Sequence, residues 1–513
     1  MSIVTKSLGL KGMEGYIVNV EVKVFDGPHS FRIVGLPDTS VKESKQRVLA
    51  AILSSFSEGL FEKKIIVNLS PPEQKKNGPF FDLAIAIGIL KNIHFIKEEI
   101  PENSAFLGAL SLDGTVQPVS GILPAIIGAK KKGIKKIFCP FDDSIPFEKL
   151  SGVELVFINS LEETIRYLQG EKTLILPRRS DPLPSTQTSH SYDRNFSNIY
   201  GHKEAKRALE IAAAGQHNIL LIGPPGCGKS MLAEAFPTIL PQLTEVESLE
   251  VLSLYQLAGQ QYPFVYEPPF RNPHHSASSV SIIGGGSFPR PGEISLAHNG
   301  VLFLDEMAEF SKKTLDMLRQ PLETGEVTIS RVQSTVSYPA KFILVGAMNP
   351  CPCGYLNSNT QYCVCSPRQI FSYQRRISGP IKDRMDILLT LKSVNIEEES
   401  QKHNEDSASI QRRVAVARKF QYARYGTTIS NARVPIDLLL EQSPLLPYQK
   451  KFLNQVSIKE NLSTRHQIKI IRLARTISDL SGKTEITDQA LEEAILLKQY
   501  PFEKTTKGIP SPH

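Results

Sequence analysis

A glycine-rich segment carries the clearest chemistry of this chain. It consists of Gly223, Pro224, Pro225, Gly226, Cys227, Gly228, Lys229 and Ser230, and it fits the P-loop pattern GxxxxGK[ST]. An apolar, strand-like run precedes it and a helix-like run follows, which disfavours a glycine turn that merely caps a helix. Backbone N–H groups of such a loop surround the β-phosphate. We expect Lys229 to reach the β- and γ-phosphates of ATP and Ser230 to bind Mg²⁺.

Two further apolar runs end in polar side chains. The first, residues 301–304, ends in Asp305 and Glu306. A strand buried in a parallel sheet has no reason to alternate between apolar and polar residues. Asp305 is expected to hold Mg²⁺ through water, and Glu306 to act as the general base on the attacking water. The second run ends in Asn349, which we interpret as a sensor of the γ-phosphate. The alternative is a turn residue before a proline.

Four of the six cysteines are grouped behind this asparagine. The grouped residues are Cys351, Cys353, Cys363 and Cys365. Four thiolates brought together by a short polar loop suit tetrahedral Zn²⁺, although the CxC spacing is tighter than the usual CxxC. The alternative is a loop of free thiols. We therefore predict a structural zinc site that pins the loop after Asn349.

Composition limits the classes of protein that the chain can belong to. Its 513 residues are too many for one core, and 41% hydrophobic with 22% charged residues is ordinary for a soluble globular protein. The start lacks the apolar core of a signal peptide, and the most apolar stretch, residues 83–90, is too short to span a bilayer. We expect a cytoplasmic protein without membrane contact. A net charge of +7 is compatible with a polyanionic partner. The alternative is that it reflects an ordinary, mildly basic surface.

Several elements must position these residues. Strands alternate with amphipathic helices before the P-loop region, a proline-rich stretch follows them, and helical periodicity dominates the end of the chain. The predicted organisation is an N-terminal domain at 1–175, a linker at 176–193, an ATPase core at 194–395, a hinge at 396–408 and a helical domain at 409–505.

A family resemblance covers almost the whole chain, from about Gly9 to Tyr500. The motifs that carry it are GHK at 201–203, ALE at 208–210, the P-loop, FRNPHH at 270–275, GGG at 284–286, PRPGE at 289–293 and AMNPCPCG at 347–354. They resemble the magnesium-chelatase-like AAA+ ATPases of the YifB/ComM family. The resemblance implies an α/β fold: a P-loop AAA+ core with a C-terminal helical lid, preceded by an α+β domain like that of the Lon protease.

The same resemblance implies a function. It indicates an ATP-dependent DNA motor, a hexameric helicase that acts on single-stranded and branched DNA. Such a motor promotes branch migration during homologous recombination and natural transformation. The alternative is a chelatase- or chaperone-type ATPase that remodels a protein partner. An ATP-dependent protease is excluded, because Phe80 and Leu123 stand where the resemblance places the catalytic serine and lysine.

Roles of individual residues also follow from the resemblance. Tyr200 and Gly201 are expected near the adenine, Arg384 as the arginine finger of a neighbouring subunit, and Arg465 as a second sensor in the lid. Cys227 replaces the threonine that is usual in this loop, and a thiol at a helix N-terminus is a candidate for unusual reactivity.

Arg384 has a physical argument beside the resemblance. A loose phosphoryl-transfer transition state spreads charge over equatorial oxygens, and a guanidinium that neutralises it is worth roughly 10³–10⁵ in rate, or about 4–7 kcal/mol. Arg375 and Arg376 are nearby candidates for the same role. The alternative is that Arg384 is an ordinary surface arginine.

Basic side chains on two inserts are the candidate DNA contacts. Arg331 lies near the turn of a predicted β-hairpin, and Arg271 and Arg290 belong to a second insert at 262–293. Inserts at these places in related rings line the central pore, where cations track a phosphate backbone. The alternative for Arg331 is an exposed strand residue. For His274 and His275 we favour packing or hydrogen bonding over metal binding.

Overall fold

The computed structural model describes residues 2–56, 60, 62–171, 195–286, 289–331, 334–358, 361–394 and 404–498. The predicted linker 176–193 lies outside the described residues, as do residues 396–403 and 499–505 of the predicted hinge and helical domain. The chain forms two compact units. One comprises Met1–Thr186, Glu245–Val265 and Val332–Ser337; the other comprises Gln187–Thr244, Tyr266–Arg331 and Tyr338–His513.

The N-terminal part combines small sheets with helices. Its strands are β1 (Ile3–Lys11), β2 (Glu14–Asp26), β3 (Ser30–Val34), β4 (Lys63–Ser70), β5 (Ser104–Phe106), β6 (Ala109–Leu110), β7 (Val116–Gln117), β8 (Lys136–Cys139) and β9 (Glu154–Phe157). Its helices are α1 (Thr39–Ser55), α2 (Asp82–Asn92), α3 (Ile122–Lys131) and α4 (Leu161–Leu168). The main sheet has the order β1-β2-β4-β3 and is antiparallel except for the pair β3 and β4.

Helices cover one face of this N-terminal sheet. Ile65, Val67 and Leu69 alternate along β4 and are fully buried, as a strand with one covered face requires. Helices α2 and α3 pack on β1 and β2. Asp38 is the N-cap of helix α1, and its carboxylate accepts a hydrogen bond from the backbone N–H of Val41 at 2.8 Å.

A five-stranded parallel sheet forms the centre of the second unit, in the order β11-β14-β17-β10-β18. The strands of this part of the chain are β10 (Ile219–Ile222), β11 (Phe270–Arg271), β12 (Gly284–Gly285), β13 (Arg290–Pro291), β14 (Val301–Leu304), β15 (Glu326–Arg331), β16 (Ser334–Pro339), β17 (Ile343–Met348) and β18 (Ile387–Thr390). The helices of this part of the chain, of which α7 belongs to the other compact unit, are α5 (Lys203–Gly215), α6 (Lys229–Ala235), α7 (Glu245–Ala258), α8 (Ser279–Ile283), α9 (Glu293–Leu296), α10 (Lys312–Met317), α11 (Arg319–Thr324), α12 (Pro367–Gln374) and α13 (Gly379–Lys382). Every residue of β10, β14 and β17 is buried, which explains why these strands are continuously apolar.

The C-terminal part is helical, as expected. It contains α14 (Ser407–Tyr425), α15 (Ile436–Gln442), α16 (Pro447–Lys459), α17 (Thr464–Leu480) and α18 (Asp488–Lys498). Helices α14 and α17 pack against α5. The guanidinium of Arg418 donates to the carbonyl oxygens of Ala213 and Ala214 at the end of α5, which satisfies groups that a helix C-terminus leaves unpaired. The mixed α/β class with a terminal helical region is confirmed.

Helix α7 shows that sequence order and packing differ. It lies within the predicted ATPase core, yet it belongs to the compact unit of the N-terminal sheet. Leu249 and Leu252 of this helix are buried in the same apolar core as Val18 and Val20 of β2, and α7 packs on α3. Apolar side chains on one side of the helix thus decide the unit to which it belongs.

Candidate nucleotide site

Three of the predicted site segments follow neighbouring parallel strands at the same edge of the sheet. Ile222 at the end of β10 is aligned with Met348 at the end of β17, so the P-loop and Asn349 begin side by side. Leu304 of β14 is aligned with Gly346 of β17, which brings Asp305 to this edge as well. Ligands of open α/β sheets bind outside the carboxyl ends of the strands.

The P-loop has the backbone that its glycines permit. Gly226 and Gly228 have φ angles of 73° and 86°, in the left-handed region that favours glycine, and α6 begins at the next residue. The ammonium of Lys229 donates to the carbonyl oxygens of Gly223 at 2.8 Å and Pro224 at 2.9 Å. Burial lowers the pKa of this ammonium group. The lysine is therefore held inside the loop, at the place where phosphates are expected.

Lys229 also connects the P-loop to Asn349. Its ammonium donates to Oδ1 of Asn349 at 3.2 Å. A phosphate that contacted both Lys229 and Asn349 would lie between the P-loop and the end of β17. Asn349 therefore has the position required of a γ-phosphate sensor. The two side chains predicted to contact the γ-phosphate are thus brought together.

The predicted magnesium ligands are also adjacent. The hydroxyl of Ser230 donates to Oδ2 of Asp305 at 2.8 Å. Hydroxyl and carboxylate oxygens are the donors that Mg²⁺ prefers, and it keeps several waters besides. The donor set fits a magnesium ion that is shared with the phosphates of a bound nucleotide.

Glu306 is held in an unusual backbone conformation. Its φ of 48° and ψ of 45° are left-handed, which a non-glycine residue adopts only where its surroundings impose it. Its backbone N–H donates to Oδ1 of Asp305 at 2.9 Å, and its side chain is 58% exposed. The carboxylate is therefore available to a water molecule beside the phosphate site.

His275 contacts Glu306, and sequence reasoning missed this contact. Nδ1 of His275 lies 3.4 Å from Oε2 of Glu306, and its ring packs edge-on against Phe310. His275 follows β11, the strand next to β14, so sheet order brings it to the end of the Asp305–Glu306 strand. The only available signal in the sequence was its place in the FRNPHH motif.

The segment before α5 lies against the P-loop. Tyr200 is 43% exposed, and Gly201 has a φ of 67°. Nε2 of His202 lies 3.5 Å from the position that a Cβ on Gly228 would take. Burial, together with the charge of Lys206, lowers the pKa of this histidine. The Tyr200 ring is exposed, and its place near the adenine stays a prediction.

Cys227 does not have the reactive environment that we expected. Its side chain is only 4% exposed, and burial raises the pKa of its thiol more than the nearby Lys229 ammonium lowers it. Because the thiolate is the nucleophile, a buried thiol with a raised pKa reacts slowly. Burial and the raised pKa therefore argue against unusual reactivity, because desolvation outweighs the nearby positive charge.

Arg384 is held within its own chain. Its guanidinium forms an ion pair with Glu323 and donates to the carbonyl oxygens of Arg319 at 3.2 Å and Pro380 at 2.8 Å. The side chain is 14% exposed. Its predicted role concerns a neighbouring subunit, so it stays a prediction. Arg465 is exposed in the first turn of α17.

A buried carboxylate organises the segment that carries Arg384. Asp386 accepts from the backbone N–H of Asn218 at 2.9 Å and pairs with the ammonium of Lys469 at 2.6 Å. Asn218 in turn donates to the carbonyl oxygen of Arg384 at 3.2 Å. Burial would raise the pKa of Asp386, but Lys469 and His217 outweigh it and hold the pKa well below its usual range. Only folding shows this role, because Lys469 lies far away in the sequence.

The four clustered cysteines fit a metal. Their sulfur atoms all lie within 4.8 Å of one another. The Sγ–Sγ distances are 3.3 Å between Cys351 and Cys353, 3.7 Å between Cys351 and Cys363, and 3.6 Å between Cys353 and Cys363. Four sulfurs placed about 2.3 Å from a tetrahedral zinc are separated by about 3.8 Å. The cluster thus has the size and donor set of a zinc site.

The three candidate DNA contacts differ in environment. Both oxygens of Glu293 accept from the guanidinium of Arg271, at 2.6 Å and 2.7 Å. Arg290 is exposed on β13, opposite Gly285 of β12. Arg331 is the last residue of β15, and its side chain lies outside the described part of the structure. Arg290 is therefore the candidate that the described surface presents.

Comparison with known proteins identifies the family. The profile of subunit ChlI of Mg-chelatase matches residues 20–143, that of magnesium chelatase subunit ChlI matches 195–399, and that of the ChlI C-terminal region matches 404–498. The competence protein ComM of Haemophilus influenzae is 37% identical over 488 residues, which cover 94% of this chain and 95% of ComM. The chain belongs to the magnesium-chelatase ChlI family of AAA ATPases.

Other relatives match either nearly the whole of this ChlI-family chain or a smaller share of it. The uncharacterized protein YifB of Escherichia coli is 37% identical over 94% of each chain. Lon protease 1 of Sorangium cellulosum is 28% identical over 164 residues, which cover 30% of this chain and 20% of that protease. Family membership implies ATPase activity with ATP and Mg²⁺. No helix in the described ranges is long and apolar enough to cross a membrane.

Proposed function

We propose that this protein is an ATP-dependent DNA motor that works as a hexameric ring and drives branch migration during homologous recombination and natural transformation. The observation that carries the ATPase half is the meeting of Lys229, Ser230, Asp305 and Asn349 at one sheet edge. The DNA half is supported by similarity over nearly the whole chain to a protein that is named for competence.

Each side chain at this edge has a chemical task in hydrolysis. Lys229 exchanges its loop carbonyl partners for phosphate oxygens, while Ser230 and Asp305 hold Mg²⁺. Glu306 orients and deprotonates the attacking water, with His275 as its neighbour. Asn349 contacts the γ-phosphate beside Lys229. These groups are contributed by one chain.

The remaining groups require a second subunit or a movement of the helical region. Arg384 neutralises the transition state in the site of a neighbouring subunit, after it leaves Glu323. Arg465, exposed on α17, closes on the nucleotide of its own chain as the second sensor. A ring, for which we propose six subunits, places these arginines at every site.

The polymer contacts are proposed on the two inserts. The exposed Arg290 on the β12–β13 ribbon and Arg331 at the end of β15 track the phosphate backbone of single-stranded or branched DNA. Arg271 supports the ribbon through its ion pair with Glu293, the first residue of α9. Electrostatic binding of this kind weakens steeply with salt.

The decisive experiment is an unwinding assay on branched DNA. Wild type and Glu306→Gln are compared for ATP-dependent migration of a labelled junction, and ATPase is measured with and without single-stranded DNA at several salt concentrations. We expect junction migration and DNA-stimulated ATPase from the wild type alone, with stimulation falling as salt rises. An active ATPase that neither responds to DNA nor moves the junction contradicts the DNA proposal.

Remodelling of a protein partner is the second candidate. It is favoured by the match to ChlI profiles along most of the chain. Under this alternative a protein client stimulates the ATPase while DNA has no effect. A structural zinc in the four-cysteine cluster is part of both proposals, and metal analysis of protein purified without chelator tests it.

A further inference from the structure

One residue of the cysteine loop packs directly on the P-loop. Gly354 is buried, has a φ of 86°, and follows Cys353. A Cβ built on Gly354 would lie 2.6 Å from Cδ and 2.8 Å from Cγ of Pro225, and 3.9 Å from Cγ of Asn349. Contacts under 3.0 Å cannot be accommodated without movement of the loop. The backbone of Gly354 therefore touches the phosphate loop where only a glycine fits.

The cysteine cluster determines where Gly354 lies. The N–H of Gly354 donates to the carbonyl oxygen of Cys351 at 3.0 Å, which closes a tight turn around Cys351 and Cys353. Both cysteines contribute sulfur atoms to the four-cysteine cluster. The other end of this turn is anchored at Pro350, whose carbonyl oxygen accepts from Gln374 of α12 at 3.1 Å. Fixing the sulfurs thus fixes Gly354 against Pro225.

We propose that Gly354 is a positioning residue through which the zinc-filled cysteine cluster holds the P-loop in its phosphate-binding shape. The proposal rests on the proposed ATPase function and on zinc as the metal. It goes beyond a structural zinc because it couples two ligands: zinc favours nucleotide binding, and by reciprocity a bound nucleotide favours zinc.

The first test is steric. Gly354→Ala adds the Cβ that meets Pro225, and the affinity for a fluorescent ADP analogue with Mg²⁺ is measured. We expect it to fall about tenfold, as overpacking of a fitted contact predicts. Gly482→Ala is the matched control, because Gly482 also has a positive φ, 67°, and a similar turn hydrogen bond at 3.0 Å, but no atom within 4 Å of the added Cβ. Its affinity should equal that of the wild type.

A second substitution separates contact from general damage. Pro225→Ala removes the two ring atoms that the new Cβ would meet. In a Pro225→Ala background, Gly354→Ala should therefore cost less than about twofold in affinity, whatever Pro225→Ala does alone. Equal costs of Gly354→Ala in both backgrounds would overturn the steric argument.

The third test reads the metal directly, with no turnover. Release of zinc from the wild type to a chromogenic chelator is followed with and without Mg·ADP, and nucleotide affinity is compared before and after zinc removal. We expect Mg·ADP to slow release several-fold and stripped protein to bind nucleotide more weakly. Zinc release that ignores nucleotide, or protein purified without chelator that holds no stoichiometric zinc, refutes the coupling. Failure of zinc-loaded wild type to bind nucleotide at all would instead refute the proposed ATPase function.

Discussion

The two halves of the proposed active site are built differently. The P-loop half is assembled by sheet order: strands β10, β14 and β17 end at one edge, and Lys229, Asp305 and Asn349 meet there within a single chain. In the Arg384 half, the guanidinium is instead bound within its own chain, by an ion pair with Glu323 and hydrogen bonds to two carbonyl oxygens. Parallel strand ends can preorganise a binding site, whereas an arginine that serves a neighbouring subunit must exchange partners.

Removal of the Arg384 side chain is expected to have the largest effect of the substitutions that test this comparison, and the effect is on turnover. Arg384→Ala should lower turnover by roughly 10³–10⁵ while the nucleotide affinity stays near that of the wild type. Steady-state ATPase and equilibrium binding of a fluorescent nucleotide measure the two quantities. Arg375→Ala is the control, because Arg375 is exposed and only stacks on Phe371.

A mixing experiment then tests whether the arginine acts on a neighbour. Arg384→Ala and Lys229→Ala chains, each inactive alone, are combined. Mixed rings contain interfaces with an intact P-loop on one side and an intact Arg384 on the other, so activity should return in part. Near-normal hydrolysis by Arg384→Ala alone would remove the assignment.

Asp386 provides the next largest effect, because it holds the Arg384 segment in place. Asp386→Asn leaves Lys469 without its buried partner, and breaking a buried ion pair costs about 3–5 kcal/mol in the free energy of unfolding. Denaturant titration measures this loss. Asp383→Asn is the control, because the Asp383 side chain is 45% exposed. Equal stability of the two variants would contradict the central role of Asp386.

The depressed pKa of Asp386 adds a pH dependence with a definite sign. Its folded pKa lies well below the unfolded value of about 3.9. The ion pair therefore stabilises the fold fully above about pH 4, and this contribution is lost as the pH falls towards the folded pKa. The difference in unfolding free energy between wild type and Asp386→Asn should shrink on acidification below about pH 4.

The P-loop half of the site could be predicted from the sequence better than the surroundings of Arg384. The meeting of Lys229, Ser230, Asp305 and Asn349 could be predicted from the sequence, because a buried parallel strand with a polar end is visible as a local pattern. Asp386 and the contact of Gly354 with Pro225 were not found, because they depend on chain segments that meet only after folding. The placement of α7 in the N-terminal unit was missed for the same reason.

His275 gives a smaller effect, confined to the P-loop half. His275→Ala frees the Glu306 carboxylate from its neighbour at 3.4 Å, and we expect turnover to fall about tenfold without a change in nucleotide affinity, since a general base must be oriented. His29→Ala is the control, because the ring of His29 hydrogen-bonds the carbonyl oxygen of Leu60 at 3.2 Å, whereas the ring of His274 packs on that of His275 and would disturb it. Similar turnover of both variants would show that His275 does not orient Glu306.

Alkylation of Cys227 tests the P-loop half without a substitution, and we expect no change in turnover from the test itself. Burial raises the pKa of its thiol, so the thiolate is scarce at neutral pH, and alkylation of native protein should be about tenfold or more slower than that of unfolded protein. Mass spectrometry of the peptide that contains Cys227 measures both rates. Cys139, fully buried and with its pKa raised to about 12, is the slow reference in the other unit. Fast modification of Cys227 that blocks nucleotide binding would mean that the phosphate loop opens readily. The P-loop half would then be less preorganised than the contacts of Lys229 indicate, and in this respect closer to the Arg384 half.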